Sequence, residues 1–296
     1  MSFLKSLAIL CIFGFLSTPS ISSGKPEDDP AYRKVREQIK AAGSEASFLS
    51  FQDCQISAVP PEIKGLRELT SLNLSHNRLA EFPNALLYMP TLRTLNIRGN
   101  RLTKIPSKIR YLKSLEELDL SMNNLTALTD CVGYLFSLKS LYVTDNQLTT
   151  LPKEIQYLTG LQTLAIDGNK ITDLPVEIVK LTSLETLLAR HNKLTSLPSN
   201  FDELSTLEHL DLGHNSLIKL PWDVVFCPLK FLHVNDNRLT YLPSDMSQLT
   251  SLLALGIRNN QIARLPEDFG AFELPSAFVA DPEVMQLIQK LHAKKG

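Results

Sequence analysis

The chain has 296 residues, of which 44% are apolar and 21% are charged, a composition that excludes intrinsically disordered and fibrous proteins. Its 30 Lys and Arg residues nearly balance 31 Asp and Glu residues, so no overall charge attracts nucleic acid, an anionic membrane or a strongly acidic substrate. A binding partner must therefore be recognised through shape and local chemistry.

The first 23 residues have the parts of a secretory signal peptide. Lys5 precedes an apolar run over residues 7–16, and small residues lead to the expected cleavage after residue 22 or 23. A transmembrane anchor is the alternative, but a span needs about 20 apolar residues and this run supplies about half of them. Lipidation at Cys11 is disfavoured because the bulky Leu10 precedes it. We therefore expect an exported protein without stable membrane insertion after cleavage, whether secreted, on the cell surface or periplasmic.

Residues 24–46 are predicted to form an N-terminal cap helix. Asp29 is a favourable N-cap residue, Pro30 suits the first helical position, and Gly43 suits the C-terminal end. The apolar residues of this segment recur on one helical face, which would cover the part of the chain that follows. These residues are Tyr32, Val35 and Ile39.

A repeat occupies most of the remaining chain, residues 47–272. A marker residue, nearly always asparagine, recurs every 23 residues with one interval of 22, and ends a pattern LxxLxLxxN such as LTSLNLSHN at Leu69–Asn77. Most copies continue into xLxxLPxxI. About ten copies cannot arise by chance, and the pattern is the leucine-rich repeat. The markers are Cys54, Asn77, Asn100, Asn123, Asn146, Asn169, Asn192, Asn215, Asn237 and Asn260.

Each part of the repeat has a physical role. The alternating leucines point to one side of a short strand, which lies parallel to its copies in neighbouring repeats. The asparagine follows at an inward turn, where its amide can donate to and accept from buried backbone groups. The LP pair starts a short helical or 3-10 segment on the outer side. No repeat can bury its leucines alone, so neighbouring repeats stabilise one another.

Cleavage of the signal peptide would leave three cysteines at separate places in the array. Cys54 replaces the first asparagine and is interpreted as a small buried thiol. Cys131 and Cys227 lie four repeats apart, roughly 20 Å at a strand spacing of about 5 Å. A disulfide requires Cα atoms within about 7 Å. We therefore predict no intrachain disulfide.

Residues 273–296 are predicted to form a C-terminal cap helix that begins at Asp281 and Pro282. Its apolar residues share one face, which would cover the last repeat. Because both ends of the array are then covered, a monomer is expected. The apolar residues are Val284, Leu287, Ile288 and Leu291.

The pattern LPxxIxxLxxLxxLxLxxNxL resembles the 23-residue leucine-rich repeats of the Ras-suppressor and scribble type, which also occur in bacterial exported proteins. The resemblance covers residues 48–269. It implies an α/β fold, a right-handed solenoid or horseshoe with short helical segments on the convex side, whose concave parallel β-sheet binds protein partners. The chain also resembles the recognition half of bacterial effector ubiquitin ligases, which makes it a virulence-associated candidate. No catalytic domain follows in this sequence, so ligase activity is not expected.

Three rows of side chains should face a partner on the concave sheet, because they vary from repeat to repeat while the leucines do not. Early repeats present short polar groups, whereas later strands place apolar residues on this face. Aromatic residues beside Arg are the usual high-energy contacts of protein interfaces. The alternative is scattered exposed apolar residues without significance, with Leu188 compensating for the small core residue Ala189. The predicted partner-binding residues are Tyr142, Leu188, Arg190, His209, Asp211, Phe231 and His233.

Four of the six histidines lie within residues 191–233, in two groups that also contain aspartate. Imidazole and carboxylate could bind zinc. The sequence has no local ligand motif such as HExxH, so solvated histidines are the favoured interpretation and we expect no metal and no cofactor. Since histidines titrate near neutral pH, a pH-sensitive contact is a milder form of the hypothesis. The groups are His209, Asp211 and His233 on adjacent strands, and His191, His214 and Asp236 in one lateral row.

These observations predict a non-catalytic recognition protein that binds a protein partner, either a host or an envelope protein, and no nucleic acid. The sequence contains no Gly-rich phosphate loop, nucleophile elbow or metalloprotease helix, so an enzyme is not expected. A structural or self-associating envelope protein is the first alternative. An intracellular-type signalling adaptor is the second, and the signal peptide argues against it.

Overall fold

A computed structural model describes residues 26–293, with side chains up to Leu291. The predicted signal peptide lies outside this range. Within the described residues, no helix combines the length and the apolar character that a membrane span requires. The chain divides into two compact units, of which the first ends at Asn146 and the second begins at Gln147.

The first unit consists of a cap helix and five short strands. The helix α1 (Pro30–Ala42) begins after Asp29, whose side chain accepts a hydrogen bond from the Ala31 N–H at 2.8 Å. Its buried residues are Tyr32, Val35 and Ile39. The strands pair in parallel, each with the next along the chain. They are β1 (Phe48–Ser50), β2 (Ser71–Asn73), β3 (Thr94–Asn96), β4 (Glu117–Asp119) and β5 (Ser140–Tyr142).

The second unit consists of six strands and the C-terminal helix. From β6 to β11 each strand again pairs in parallel with the next. The 22-residue step falls between β8 and β9, where His209 lies opposite Phe231. The helix α2 (Pro282–Ala293) buries Val284 and Ile288. The strands are β6 (Thr163–Ala165), β7 (Thr186–Leu188), β8 (His209–Asp211), β9 (Phe231–His233), β10 (Ala254–Gly256) and β11 (Ala277–Val279).

A short 3-10 helix lies between successive strands and usually begins directly after a proline. Ser107–Tyr111, for example, follows Pro106. The leucines that alternate in each strand pattern, such as Leu118 and Leu120, are fully buried between the strands and these helices. Each unit is therefore a stretch of α/β solenoid, and the predicted fold class, with a parallel sheet and 3-10 outer segments, is confirmed.

The strand β11 was not predicted. Residues 273–296 were expected to form only a cap helix, yet Ala277–Val279 pairs in parallel with β10 before α2 begins. Its central residue Phe278 lies opposite Leu255, so a phenylalanine occupies the place of the repeat's leucine. The leucine pattern could not reveal this strand because the segment has no leucine at the two inward positions.

The asparagine markers form the predicted ladder of buried hydrogen bonds. Asn123 shows the geometry: its Nδ2 donates to the carbonyl oxygens of Ile97 and Leu120 at 3.0 Å, and its Oδ1 accepts the Leu102 N–H at 2.9 Å. Ile97 and Leu102 both belong to the preceding repeat. The amide of each marker therefore completes the turn of the repeat before it.

The residue before each marker has a positive φ, a feature that the sequence analysis missed. Left-handed backbone is costly for most residues and is tolerated best by Gly, Asn, Asp and His. Met122, with φ 53°, is the one residue at this position that is not Gly, Asn, Asp or His. The turn geometry therefore selects this position, whose residues are Asp53, His76, Gly99, Met122, Asp145, Gly168, His191, His214, Asp236 and Asn259.

The cysteines only partly match expectation. Cys131 and Cys227 are free thiols, and burial raises the pKa of the Cys227 thiol to about 12. Cys54, by contrast, is disulfide-bonded, so its interpretation as a small buried thiol is wrong. Because Cys131 and Cys227 are both free, no disulfide joins the three cysteines to which the prediction applied.

Candidate functional site

Three neighbouring strands of the second unit bring six of the seven predicted binding residues together. Side chains alternate along each strand, so Leu187, Leu210 and Leu232 enter the core and their neighbours lie on the open sheet face. The parallel register then aligns the residues of β7, β8 and β9. We call Leu188, Arg190, His209, Asp211, Phe231 and His233 the sheet patch. The seventh, Tyr142, lies on β5 in the first unit.

The apolar part of the sheet patch is centred on Phe231, which is 36% exposed. Its ring centroid lies 5.2 Å from that of His209, and the His209 ring lies edge-on to His233 at 6.2 Å. Leu188 lies on β7, the strand next to that of His209, and is half-buried. The exposed ring of Phe231 therefore lies beside the imidazole rings of His209 and His233 on an otherwise polar sheet face.

Asp211 holds the polar part of the patch in place and is itself only 8% exposed. Its Oδ1 accepts the Gly213 N–H at 3.0 Å. Its Oδ2 lies 3.7 Å from both Arg190 Nε and His233 Nδ1. These distances are ion-pair contacts, too long for hydrogen bonds. Asp211 is thus buried beneath the two basic side chains that flank it.

The contact from Asp211 to the backbone two residues later recurs in the first unit. Asn73, Asn96 and Asp119 occupy the same strand position, and each accepts the N–H two residues on at 2.9 Å. Asn and Asp favour this local turn because their short side chains reach it without strain. Several of the variable polar residues on the sheet are therefore structural, which the sequence analysis did not recognise.

Arg190 extends from the patch with most of its guanidinium free. Apart from its ion pair with Asp211, the side chain has no polar partner within residues 26–293. Gly213 allows this arrangement, because a Cβ there would lie 3.3 Å from Asp211 Oδ1 and 3.4 Å from Arg190 Nε. The guanidinium therefore offers unoccupied donors to a bound partner.

The second histidine group lies in the lateral row of positive-φ residues. The rings of His191 and His214 stack at 4.1 Å with 9° between their planes. His214 Nε2 lies 3.3 Å from Asp236 Oδ2, and Asn259 donates to the other carboxylate oxygen at 2.6 Å. Because the turn selects residues that tolerate positive φ, these histidines have a conformational reason to be where they are.

Neither histidine group is arranged as a metal site. Across the described part of the chain, no three His, Cys, Asp or Glu side chains converge so that they could hold a metal ion. In the sheet patch the carboxylate of Asp211 already contacts Gly213 and Arg190. The low-probability zinc candidates His209, Asp211 and His233 therefore gain no support.

Burial lowers the pKa of two histidines of this region below the ordinary value of 6.5. For His191 the neighbouring side chains of His214 and Arg190 add to the effect of burial, and for His209 the neighbouring His233 does so. The carboxylate of Asp211 opposes the shift at both. Both imidazoles are therefore held preferentially in their neutral form.

The stability of the second unit should consequently fall as the solution is acidified. A histidine whose pKa is lower in the folded than in the unfolded chain binds fewer protons in the folded state. Its contribution to stability is therefore complete at a pH above its unfolded pKa, near 6.5, and is lost as the pH falls below that value. Urea unfolding at about pH 7.5 and about pH 5 measures the loss. The double variant His191→Gln/His209→Gln should flatten this dependence, whereas His76→Gln in the first unit should leave it unchanged. An unaltered slope in the double variant would contradict the assignment.

Two models of leucine-rich repeat families match the chain. The family described as "Leucine rich repeat" matches residues 49–102 and 90–148, and the "Leucine-rich repeat region" matches residues 123–220. Among curated proteins, none matches.

Solved structures with similar folds come from bacteria and plants. A leucine-rich repeat protein of Leptospira interrogans is 30% identical over 84% of this chain and 77% of its own, with a TM-score of 0.59. A plant peptide hormone receptor in complex with RGF2 is 30% identical over 79% of this chain and 39% of its own, with a TM-score of 0.65.

The leucine-rich repeat ectodomain of a membrane receptor kinase from Arabidopsis thaliana, in complex with Casparian strip integrity factor 2, is 25% identical. The alignment covers 81% of this chain and 34% of the receptor ectodomain, with a TM-score of 0.62. This chain thus spans less than half the length of either plant receptor. The family models match residues 49–220, and the 30% identical Leptospira protein aligns over most of both chains. The chain belongs to the leucine-rich repeat proteins.

Proposed function

We propose that this chain is an exported, non-catalytic recognition protein that binds a protein partner through the sheet patch. The observation that carries the proposal is the exposed ring of Phe231 on the same sheet face as the guanidinium of Arg190, whose ion pair with Asp211 leaves most of its donors unoccupied. Aromatic residues and arginine are the residue types that dominate binding energy in protein interfaces.

The contacts within the patch define the chemistry of the partner. Phe231 and Leu188 would receive an aliphatic or aromatic side chain. The guanidinium of Arg190 would bind a carboxylate through paired hydrogen bonds, with Asp211 positioning it from below. The partner would therefore present an apolar side chain close to an acidic one.

The relatives support a binding role for the fold. Both plant structures contain a receptor in complex with a bound partner. Leucine-rich scaffolds carry many unrelated functions, so the patch and not the fold defines the proposed partner. Tyr142 remains a further candidate contact residue in the first unit.

Export follows from the sequence of residues 1–23, and we propose a secreted, cell-surface or periplasmic monomer of the bacterial exported class. Protease treatment of intact producing cells tests the location. Loss of the protein from intact cells would indicate the cell surface, whereas protection until the envelope is opened would indicate the periplasm. Retention in the cytoplasmic fraction would contradict export and favour the signalling adaptor.

The patch is tested with a double variant, Leu188→Ala/Phe231→Ala. The chain is used to capture and identify a partner from envelope or host proteins, and the affinity of the purified pair is then measured by calorimetry. Removal of both apolar contacts should weaken binding about tenfold or more, since interface anchors contribute more than about 1 kcal/mol each.

A matched control is Phe226→Ala, which removes an exposed aromatic ring of the same unit outside the patch. It should leave the affinity unchanged. Equal weakening in the control, or full affinity in the double variant, would overturn the assignment. Concentration-dependent self-association that the double variant abolishes would instead support the self-associating envelope protein.

A further inference from the structure

A line of aromatic residues runs along one edge of the first unit, remote in sequence from the sheet patch. Three tyrosines, 23 residues apart, each end a 3-10 helix: Tyr88, Tyr111 and Tyr134. Tyr88 is 60% exposed, Tyr111 50%, and the nearby Phe136 56%. We call these four residues the aromatic edge. Tyr134 is half-buried. Exposed rings that recur at one repeat position mark an interaction surface.

Direct contacts join two of the repeats that carry the aromatic edge. The rings of Tyr134 and Phe136 meet edge to face with centroids 6.0 Å apart. Lys113, from the preceding repeat, places its Nζ 5.2 Å from the Phe136 ring and donates to the Tyr134 carbonyl at 3.4 Å. The rings of Tyr134 and Phe136 are therefore held against each other, and Lys113 ties them to the preceding repeat.

The aromatic edge is lined with cations that have no acidic partner. The segments 64–67, 87–90, 110–113 and 133–136 contain four basic residues and no Asp or Glu. Lys64 Nζ lies 4.8 Å from the Tyr88 ring, and Arg110 Cζ lies 5.4 Å from the Tyr111 ring. None of the four forms a salt bridge within the described residues. They are Lys64, Arg67, Arg110 and Lys113.

The second unit has exposed rings at the same repeat position but lacks the cations beside them. Tyr157 and Phe226 each end a 3-10 helix and are 45% and 50% exposed, yet residues 156–159 and 225–228 contain no Lys or Arg. Residues 202–205 contain Asp202 and Glu203, and residues 179–182 contain only Lys180, which pairs with Glu203 at 2.5 Å. The basic and aromatic combination is thus a local property of the first unit. The near-zero net charge of the whole chain hides it.

Tyrosine and phenylalanine rings at the rim of a basic surface match the chemistry of a membrane interface. Such rings lie at the level of the lipid headgroups, with the tyrosine hydroxyl still in water. Lysine and arginine beside them are attracted to anionic lipid, and the attraction needs no inserted helix. A planar lipid surface could also touch several neighbouring repeats at once.

We propose that the aromatic edge attaches the protein peripherally to an anionic phospholipid surface. This inference is independent of the sheet patch. It gives the first unit a contact surface for lipid, in addition to any protein partner of the second unit.

Vesicle sedimentation tests the proposal. The chain is prepared without residues 1–23, whose apolar run would itself bind lipid, and is mixed with vesicles of phosphatidylcholine or of phosphatidylcholine and phosphatidylglycerol in equal parts. It should sediment with the anionic vesicles only, and added salt should release it. The variant Lys64→Gln/Lys113→Gln should bind about 25-fold more weakly, at about fivefold per lost charge. Tyr88→Ser/Tyr111→Ser should also reduce binding.

Matched controls lie in the second unit, where Lys219→Gln and Trp222→Ser remove an exposed cation and an exposed ring from another surface. They should bind the anionic vesicles like the unaltered chain, and thermal melts should show that every variant folds. Equal binding to both kinds of vesicle, binding that the edge variants leave unchanged, or absence of binding would overturn the proposal. Complete displacement from the vesicles by polyglutamate, with tight binding to that polymer, would favour an acidic protein over lipid.

Discussion

Replacing Asn123 with alanine is expected to lower the free energy of unfolding by about 3 kcal/mol. The side chain is only 6% exposed and satisfies buried backbone groups of two repeats. Alanine would leave the Leu102 N–H without its acceptor. The carbonyl oxygens of Ile97 and Leu120 would each lose one hydrogen bond but keep another, from Asn100 and Asn146. A buried polar group without a partner costs about 1–3 kcal/mol, and the two lost hydrogen bonds add to this cost.

Urea unfolding measures this loss, and hydrogen exchange locates it, because the Leu102 N–H should exchange faster in the variant. The adjacent Asn124 is exposed, so Asn124→Ala is the matched control and should change stability by no more than about 0.5 kcal/mol. Asn123→Asp tests the donors separately. It retains an oxygen for Leu102 but sets a carboxylate against carbonyl oxygens, and should be at least as harmful at neutral pH as alanine and less harmful in acid. Equal stability of Asn123→Ala and the control would contradict the role of the ladder.

Replacing Phe201 with alanine should cost about 4 kcal/mol, the largest effect that we expect. The Phe201 side chain is fully buried. The equivalent residue of the 3-10 helix is Ile178 in the preceding repeat and Val224 in the following repeat. The helix at Phe201–Glu203 has only three residues and follows Asn200 with φ 61°. A larger side chain fills the space that the shorter helix leaves, so its removal opens a cavity.

Thermal or urea unfolding of the second unit tests this expectation. Phe201→Leu keeps most of the buried volume and should lose about half as much stability as alanine, in keeping with the dependence on cavity size. Phe226→Ala removes the same atoms from a half-exposed position and should cost about 1 kcal/mol or less. A small loss in Phe201→Ala would show that the repeat collapses around the missing ring.

The scaffold was predictable because its causes are periodic in sequence. Each leucine that faces the core recurs at a fixed spacing, and the amide of Asn123 has one arrangement that satisfies the turn around it. The strand β11 escaped prediction because Phe278 takes the leucine's place there. Periodicity thus identifies an element only while the residue type that carries it persists.

The sheet patch was predictable in its membership but not in the roles of its members. Alternation along a strand assigns Asp211 to the open face, yet contacts with Arg190 and His233 from neighbouring repeats bury it. Those contacts depend on side-chain lengths across strands, and Gly213 makes room for them. Similarly, the positive φ of Met122 could not be read from its side chain, because methionine has no preference for that conformation.

The asparagine ladder has a direction, and this makes the two ends of the array chemically unequal. Every marker amide reaches back into the preceding repeat, as Asn77 does to Phe51 and Ile56. The first marker position has no earlier turn to complete, so no amide is required where Cys54 stands. The last turn has no later asparagine, and the carboxylate of Asp281 accepts the N–H groups of Asn259 and Asn260 at 3.1 and 3.4 Å. An array truncated at its C-terminal end therefore needs a new polar terminus, whereas one shortened at its N-terminal end needs only a new apolar cover.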